Sequence, residues 1–181
     1  MPYRTKTYIA GDWTGDSAAI QQLYRWNEGD KWSLHFVDAH SYSQCYDSSM
    51  PCTIKSSLRE RMNRSKTFVL VVGNKTASTR KGACLYYNCS NARRSMVYDG
   101  FTCMVWGKAY STQSFIDYEC ELAYKAYLKG EMKIVVLYNS TIVRKSRCPA
   151  ILRNVGKHVA MKSSNYFSIW DYATVRKVIE D

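Results

Sequence analysis

Long apolar runs are missing from this chain. No stretch approaches the ~18 apolar residues needed to cross a bilayer, and the opening residues "MPYRTKTYIAGDW" carry no apolar leader. A soluble, cytoplasmic protein with no membrane attachment is therefore expected. A close C-x-x-C pair is missing too. The seven cysteines are an odd number scattered over strand-like, helix-like and loop-like segments, a pattern that fits reduced thiols better than a disulfide framework. Cys84, Cys89 and Cys103 lack that close spacing and have no histidine near them, so no metal site is expected. With no secretory route, the glycosylation sequons at Asn63, Asn74, Asn88 and Asn139 carry no meaning.

Acidic residues are outnumbered, 15 against 26 lysines and arginines, for a net charge of +11. The cations cluster in "TIKSSLRERMNRSK", "RKG", "NARRS" and "VRKSR" but form no single stripe. There is no recognition-helix signature, zinc-finger spacing or RNA-binding aromatic motif, so nucleic acid is not the expected partner. Attraction of an anionic, pyrophosphate-bearing substrate accounts for the same charge.

What is present is an alternation. A chain of 181 residues with 46% hydrophobic content suffices for one core. "KTYIA" (6–10) reads as a short strand, and "SAAIQQLYRWNEG" as a helix that Ser17 can cap and Gly29 ends. "SLHFVDA" (33–39) is a second strand and "TIKSSLRERMNR" a second helix, with Ile54, Leu58 and Met62 on its apolar face. "KTFVLVVG" (66–73) and "KIVVLYN" (133–139) are apolar at consecutive positions, as strands buried on both faces of a parallel sheet should be. "HVAMK" (158–162) is a weaker fifth strand and "DYATVRKVIED" a terminal helix. The expected fold is α/β, a flavodoxin-like doubly wound parallel sheet of about five strands.

Between Gly73 and Ser114 lie about forty residues where such connections take two to six. The stretch is rich in Tyr and Cys and too apolar to be disordered. It reads as a folded insertion of about 76–113 between the third strand and its helix, with a hairpin through "MVYDGFTCMVW", inside a single domain of 1–181.

The helix that follows, "SFIDYECELAYKAYL", contains a misplaced charge. At about 100° per residue, Phe115, Ile116, Cys120, Leu122, Ala123, Ala126 and Tyr127 share one arc, with Glu119 in its middle. Asp117, Glu121 and Lys125 occupy the opposite arc as an ordinary solvated row. Ser114 can cap the helix with Asp117 completing a variant capping box, which leaves Glu119 a turn too deep to cap. An inward carboxylate is either paired with a cation or held at the mouth of a pocket. Doubly wound sheets bind ligands beyond the carboxyl ends of their strands, and this helix begins at that end. Asp12 with Trp13, Asp38 with His40, and Asn74 follow the first three strand ends and should line the same rim.

Two chemistries of this fold suit the residues poorly. A phospho-acceptor receiver needs an aspartate at the end of the third strand, and here that strand ends "LVVGN". A flavodoxin would hold phosphate in "DWTGDSA" with Thr14, Gly15 and Ser17, but Asp12 and Asp16 flank that loop and repel it. The set "TYIAGDW", "FVDAH", "TIKSSLRERMNRSKTFVLVVGNKT" and "SFIDYECELA" before "KIVVLYN" resembles the TIR-like domains of the Thoeris anti-phage defence system over about residues 5–139.

That resemblance implies a TIR-like version of the fold and an enzyme that cleaves the nicotinamide–ribose bond of NAD, its substrate, with no separate cofactor. The family's glutamate in the third helix maps to Glu119. Trp13 would then stack on a base or nicotinamide ring, while Asp12, Asp38, His40 and Asn74 would line or position the sugar and pyrophosphate. The resemblance also implies a cyclic or conjugated ADP-ribose product, read by a separate effector protein. It implies self-association too, since relatives complete the site through the loop after the second strand, here "HSYSQCYDSSMP". A non-catalytic TIR-like scaffold that acts by self-association is the alternative.

Overall fold

A computed structural model of the chain gives residues 5–29, 34, 36–37, 50–84, 112–164 and 169–180, together with the backbone of three short strands at 92–94, 101–103 and 108–109. Strands β1 (Lys6–Ala10) and β2 (Ser65–Val72) pair in parallel, with Ile9 opposite Val69. The three short strands β3 (Ala92–Arg94), β4 (Phe101–Cys103) and β5 (Lys108–Ala109) form an antiparallel sheet of their own. Strand β6 (Lys133–Tyr138) lies parallel on the other edge of β2, and β7 (Lys157–Ala160) parallel beyond it. The main sheet therefore runs β1-β2-β6-β7. The third, fourth and fifth strands read from the sequence are β2, β6 and β7.

The alternation of side chains in a pleated strand explains both faces. Tyr8, Phe68, Leu70, Ile134 and Val136 point to one side, where they pack under helices α2 (Pro51–Asn63) and α3 (Phe115–Leu128). Ile9, Val69, Val71, Val135 and Leu137 point to the other, under α1 (Ser17–Glu28) and α4 (Tyr172–Glu180). Each such side chain, once fully buried, contributes about 1.5–3 kcal/mol of transfer free energy. A strand apolar on one face only could not hold both helical layers. The result is a doubly wound α/β fold.

The expected second strand, 33–39, falls largely outside the described residues, and Leu34, Phe36 and Val37 carry no strand assignment. Their placement still follows the expected order. The Thr7 N–H donates to the Val37 carbonyl at 2.8 Å, which puts this segment along the free edge of β1. Asn27 at the end of α1 pins it by exchanging two hydrogen bonds with the Phe36 backbone, at 2.8 and 3.0 Å. The chain thus leaves β1 in one direction and returns to β2 in the other, so the switch point lies between the carboxyl ends of β1 and β2.

Several local expectations are corrected. Asp16, not Ser17, occupies the N-cap of α1, and its side chain makes no cap hydrogen bond. Helix α2 starts two residues earlier than "TIKSS", at Pro51, whose fixed φ suits a first helical turn. Lys55 and Arg61, two of the cations clustered in "TIKSSLRERMNRSK", are buried. Tyr127, assigned to the inward arc of α3, is 41% exposed, whereas Tyr118 is buried in its place. The hairpin expected through "MVYDGFTCMVW" uses Ala92–Arg94 as the partner of Phe101–Cys103, and its turn lies outside the described residues. Among the described residues, no helix is long and apolar enough to cross a membrane.

Candidate active site

The loop that leaves β1 turns sharply. The Thr14 N–H donates to Asp12 Oδ1 at 3.1 Å and the Asp16 N–H to the Asp12 carbonyl at 2.7 Å, folding "DWTGD" into the start of α1. Trp13 stands out from this turn, 46% exposed, with its ring 6.1 Å from that of Tyr24. Asp16 points inward instead. It lies against the bare Cα of Gly73, where a Cβ would come within 2.0 Å of its carboxylate, and it accepts a hydrogen bond from Asn139 at the end of β6 at 3.0 Å. The carboxyl ends of three strands are tied together at this point.

Burial pushes the Asp16 carboxyl above its usual range, against the Asn139 hydrogen bond, with the Asp12 charge adding to the rise. A raised carboxyl pKa means that the folded state binds the proton more tightly than the unfolded chain. Its contribution to stability is therefore complete below the unfolded value, about 3.9, and is lost as pH rises through the folded value. Asp16→Asn removes the charge and keeps an acceptor for Asn139. The variant should melt at a higher temperature than the parent at pH 7–8 and lose that advantage at pH 3, as thermal unfolding across pH would show.

Helix α3 is fixed at its start from three directions. Ser114 Oγ accepts the Asp117 N–H at 3.0 Å and donates to its carboxylate at 2.8 Å, as the capping pattern predicts. The buried ammonium of Lys55 on α2 donates to the Gln113 carbonyl at 2.6 Å, and burial lowers its pKa. The Phe115 N–H donates to the Lys81 carbonyl at 2.8 Å. Beside that bond, Gly82 at φ +89° lies flat on the Phe115 ring, where a Cβ would come within 2.3 Å of a ring carbon. These contacts set where Glu119 stands, one turn further along.

Glu119 is 6% exposed and faces a cleft of about 130 Å³. Its Oε1 accepts a hydrogen bond of 2.5 Å from the phenol of Tyr8, a core residue on β1. Asp12 and Trp13 form the rim on the β1 side, Ile54 and Leu58 of α2 the apolar wall, and Thr79 and Lys81 the side after β2. A second, polar hollow of about 310 Å³ adjoins it, sharing Asp12 and lined by Thr14, Asn74, Lys75 and Asn139. Ligand sites for small molecules span ~300–1,000 Å³. The Glu119 cleft alone falls below that range, and only with the adjoining hollow does the site come within it.

Two larger hollows do not share this chemistry. One, of about 510 Å³, lies by Thr5, Lys66 and Lys133 at the amino ends of the strands, the end that α/β sheets do not use for ligands. The other, of about 660 Å³, is a groove on the outer side of α3 near Leu128 and Ile151.

The structure thus brings Glu119, Asp12 and Trp13 to one cleft and places Asn74 in the hollow that shares Asp12. Asp38 and His40 lie outside the described residues. Lys81 and Tyr8 also belong to this site, and Phe115, expected only on the inward arc of the helix, lines its cleft. Lys81 is visible in the sequence only as part of "RKG", and "KTYIA" reads as a strand without showing that the Tyr8 oxygen meets an acid from α3.

Residues 8–81 match the family model of the Thoeris protein ThsB, TIR-like domain. Over that stretch the chain is similar to a Thoeris-type TIR-like domain. The match takes in β1, α1, α2, β2 and the loop as far as Lys81, less than half of the chain. The TIR-like stretch therefore carries Asp12, Trp13, Asp38, His40 and Asn74, and Glu119 lies beyond its end. The sheet order agrees with a TIR-like doubly wound fold. No curated protein matches the chain.

Proposed function

We propose that this protein cleaves the nicotinamide–ribose bond of NAD and uses Glu119 to stabilise the positive charge that builds on the sugar. One observation carries the reading: a carboxylate 6% exposed, at the carboxyl end of a TIR-like sheet, in the wall of a cleft. Taking a carboxylate out of water costs several kcal/mol. A position needed for packing alone would hold Leu or Met at no such cost.

The chemistry suits a single acid. As the bond from ribose C1′ to the nicotinamide nitrogen breaks, its electron pair leaves with nicotinamide, which becomes neutral and needs no general acid. The sugar becomes oxocarbenium-like, as in glycoside cleavage. An anion fixed beside it in a water-poor cleft stabilises this state more than the ground state. Trp13 then covers the ring at the rim, Asp12 takes ribose hydroxyls between the two hollows, and Asn74 with Lys75 and Lys81 meets the pyrophosphate. A nucleophile adds at C1′ and loses its proton. Water gives ADP-ribose, and a hydroxyl of the same or another molecule gives a cyclic or conjugated ADP-ribose. The family's defence role favours the second outcome, as a signal made in the cytoplasm during phage infection for a separate effector. Asp38, His40 and the loop after them would complete the site within a self-associated pair.

The decisive experiment is to incubate the concentrated protein with NAD, with and without lysate of infected cells, and to analyse products by mass spectrometry. Free nicotinamide with a cyclic or conjugated ADP-ribose is expected. NAD left intact under every condition would overturn the reading. It would favour the scaffold alternative, for which the exposed Leu128, Ile151 and Tyr127 on and near α3 provide an apolar surface for self-association.

A further inference from the structure

The phenol of Tyr8 belongs to neither the fold's requirements nor the residues of the rim. Tyr8 is fully buried on β1, and its ring stacks on Phe68 of β2 at 5.8 Å between centroids, with 27° between the planes. A phenylalanine would satisfy that packing. The hydroxyl instead spans from the sheet to α3 and donates to Glu119 Oε1, and a hydroxyl donor favours the carboxylate form of its acceptor.

We propose that Tyr8 is the positioning residue for Glu119, fixing the plane of the carboxylate toward the cleft and holding it in its anionic form. This rests on the NAD-cleaving reading only for its effect on catalysis. Two features of the geometry support it. The tyrosine ring is locked between the sheet and the helices, so the donor comes from the most rigid part of the molecule and needs no reorganisation as charge develops. The bond also ties α3 to β1, the strand whose loop carries Asp12 and Trp13. One contact thereby sets the depth of the acid relative to the rim. Among the described residues, the titratable and charged groups around Glu119 include Tyr8 from β1, Asp12 from the β1 loop, Lys81 from the loop after β2, and Cys120 from its own helix. Ile54 and Leu58 from α2 are apolar. Asp12 opposes ionisation and Lys81 favours it, both from the rim, while the phenol acts at hydrogen-bond distance.

Tyr8→Phe tests this. The rate constant kcat for nicotinamide release should fall about 10- to 100-fold, as for a lost hydrogen bond to a charge. KM for NAD should stay within about twofold, since the phenol touches no substrate. The acid limb of the pH–rate profile should move to higher pH. A second measurement needs no catalysis: carbon NMR of carboxyl-labelled glutamates, with the Glu119 signal assigned by its loss in Glu119→Gln, should titrate at higher pH in Tyr8→Phe than in the parent. Phe68→Leu disturbs the same packing but keeps the hydroxyl. It should lower the unfolding temperature and leave the acid limb and the NMR midpoint in place. If Tyr8→Phe does not fold, ring-carbon NMR of labelled tyrosines in Glu119→Gln replaces it, and the Tyr8 signal should shift as its acceptor becomes an amide. An unmoved Glu119 midpoint, or in that case an unmoved Tyr8 signal, overturns the proposal. A parent without NAD cleavage removes only the catalytic reading, since the NMR titration still decides the Tyr8–Glu119 coupling.

Discussion

Glu119→Gln should leave the protein folded and reduce nicotinamide release from NAD by about 100- to 1,000-fold, the range lost when a preorganised electrostatic group is removed from a reaction centre. Glutamine has the same shape, and its carbonyl can still accept from Tyr8, so the helix and the cleft should keep their geometry. What disappears is the negative charge beside the departing base. No neighbour on α3 can replace it. Cys120 is fully buried, and burial first, then the Glu119 charge, holds its thiol well above the usual range, so it stays protonated. Glu121 is the matched control on the same helix. Its carboxylate bonds Lys125 and Gln113, and the Lys125 hydrogen bond first, then that from Gln113, draws its pKa down. Glu121→Gln should therefore keep the parent's rate and lose only a surface ion pair. Chromatographic measurement of nicotinamide in parent, Glu119→Gln and Glu121→Gln separates the two acids. Equal rates in parent and Glu119→Gln would remove Glu119 from the chemistry.

The contrast between those acids also shows what could be read without coordinates. Helical periodicity alone sorted Glu119 from Asp117, Glu121 and Lys125, because a 3.6-residue repeat fixes which side chains share a face. It erred in the last turn, at Tyr127, because an aromatic with a polar tip satisfies either side of a helix boundary. Strands apolar at consecutive positions were legible for the same reason that they are central: β2 and β6 have no solvent face on which to place a polar residue. Contacts between distant segments were not legible. Tyr8 and Glu119 are 111 positions apart, and no local pattern in "KTYIA" says that its phenol faces an acid. The cation cluster "TIKSSLRERMNRSK" gives no sign that its Lys55 is buried, since lysines usually stay wet. Asp16 was read only as a charge that repels phosphate. Its partner at the end of β6 and the bare Gly73 beneath it could be seen only once the strands were side by side.

Gly82 offers the other large expected effect, because its role depends on a single contact. At φ +89° any side chain is strained there, which costs about 1–3 kcal/mol. Its added Cβ would also fall 2.3 Å from the Phe115 ring, which lines the cleft and begins the helix of Glu119. Gly130 is the natural comparison. It too has positive φ, at +71°, where its N–H caps α3 on the Tyr127 carbonyl at 2.9 Å, but a Cβ there would meet nothing within 4 Å. Gly130→Ala should therefore show the backbone cost alone, about 1 kcal/mol, or roughly 2–4 °C in unfolding temperature for a chain of this length. Gly82→Ala should lose two to three times as much, because either the loop or the ring must move. It should also impair NAD cleavage, as the ring's displacement drags the start of α3 away from Asp12 and Trp13. Gly130→Ala, at the far end of the same helix, should leave activity at the parent's level. Equal losses of stability and unchanged activity in both variants would mean that the packing of Gly82 on the Phe115 ring does not hold the first turn of α3 in place.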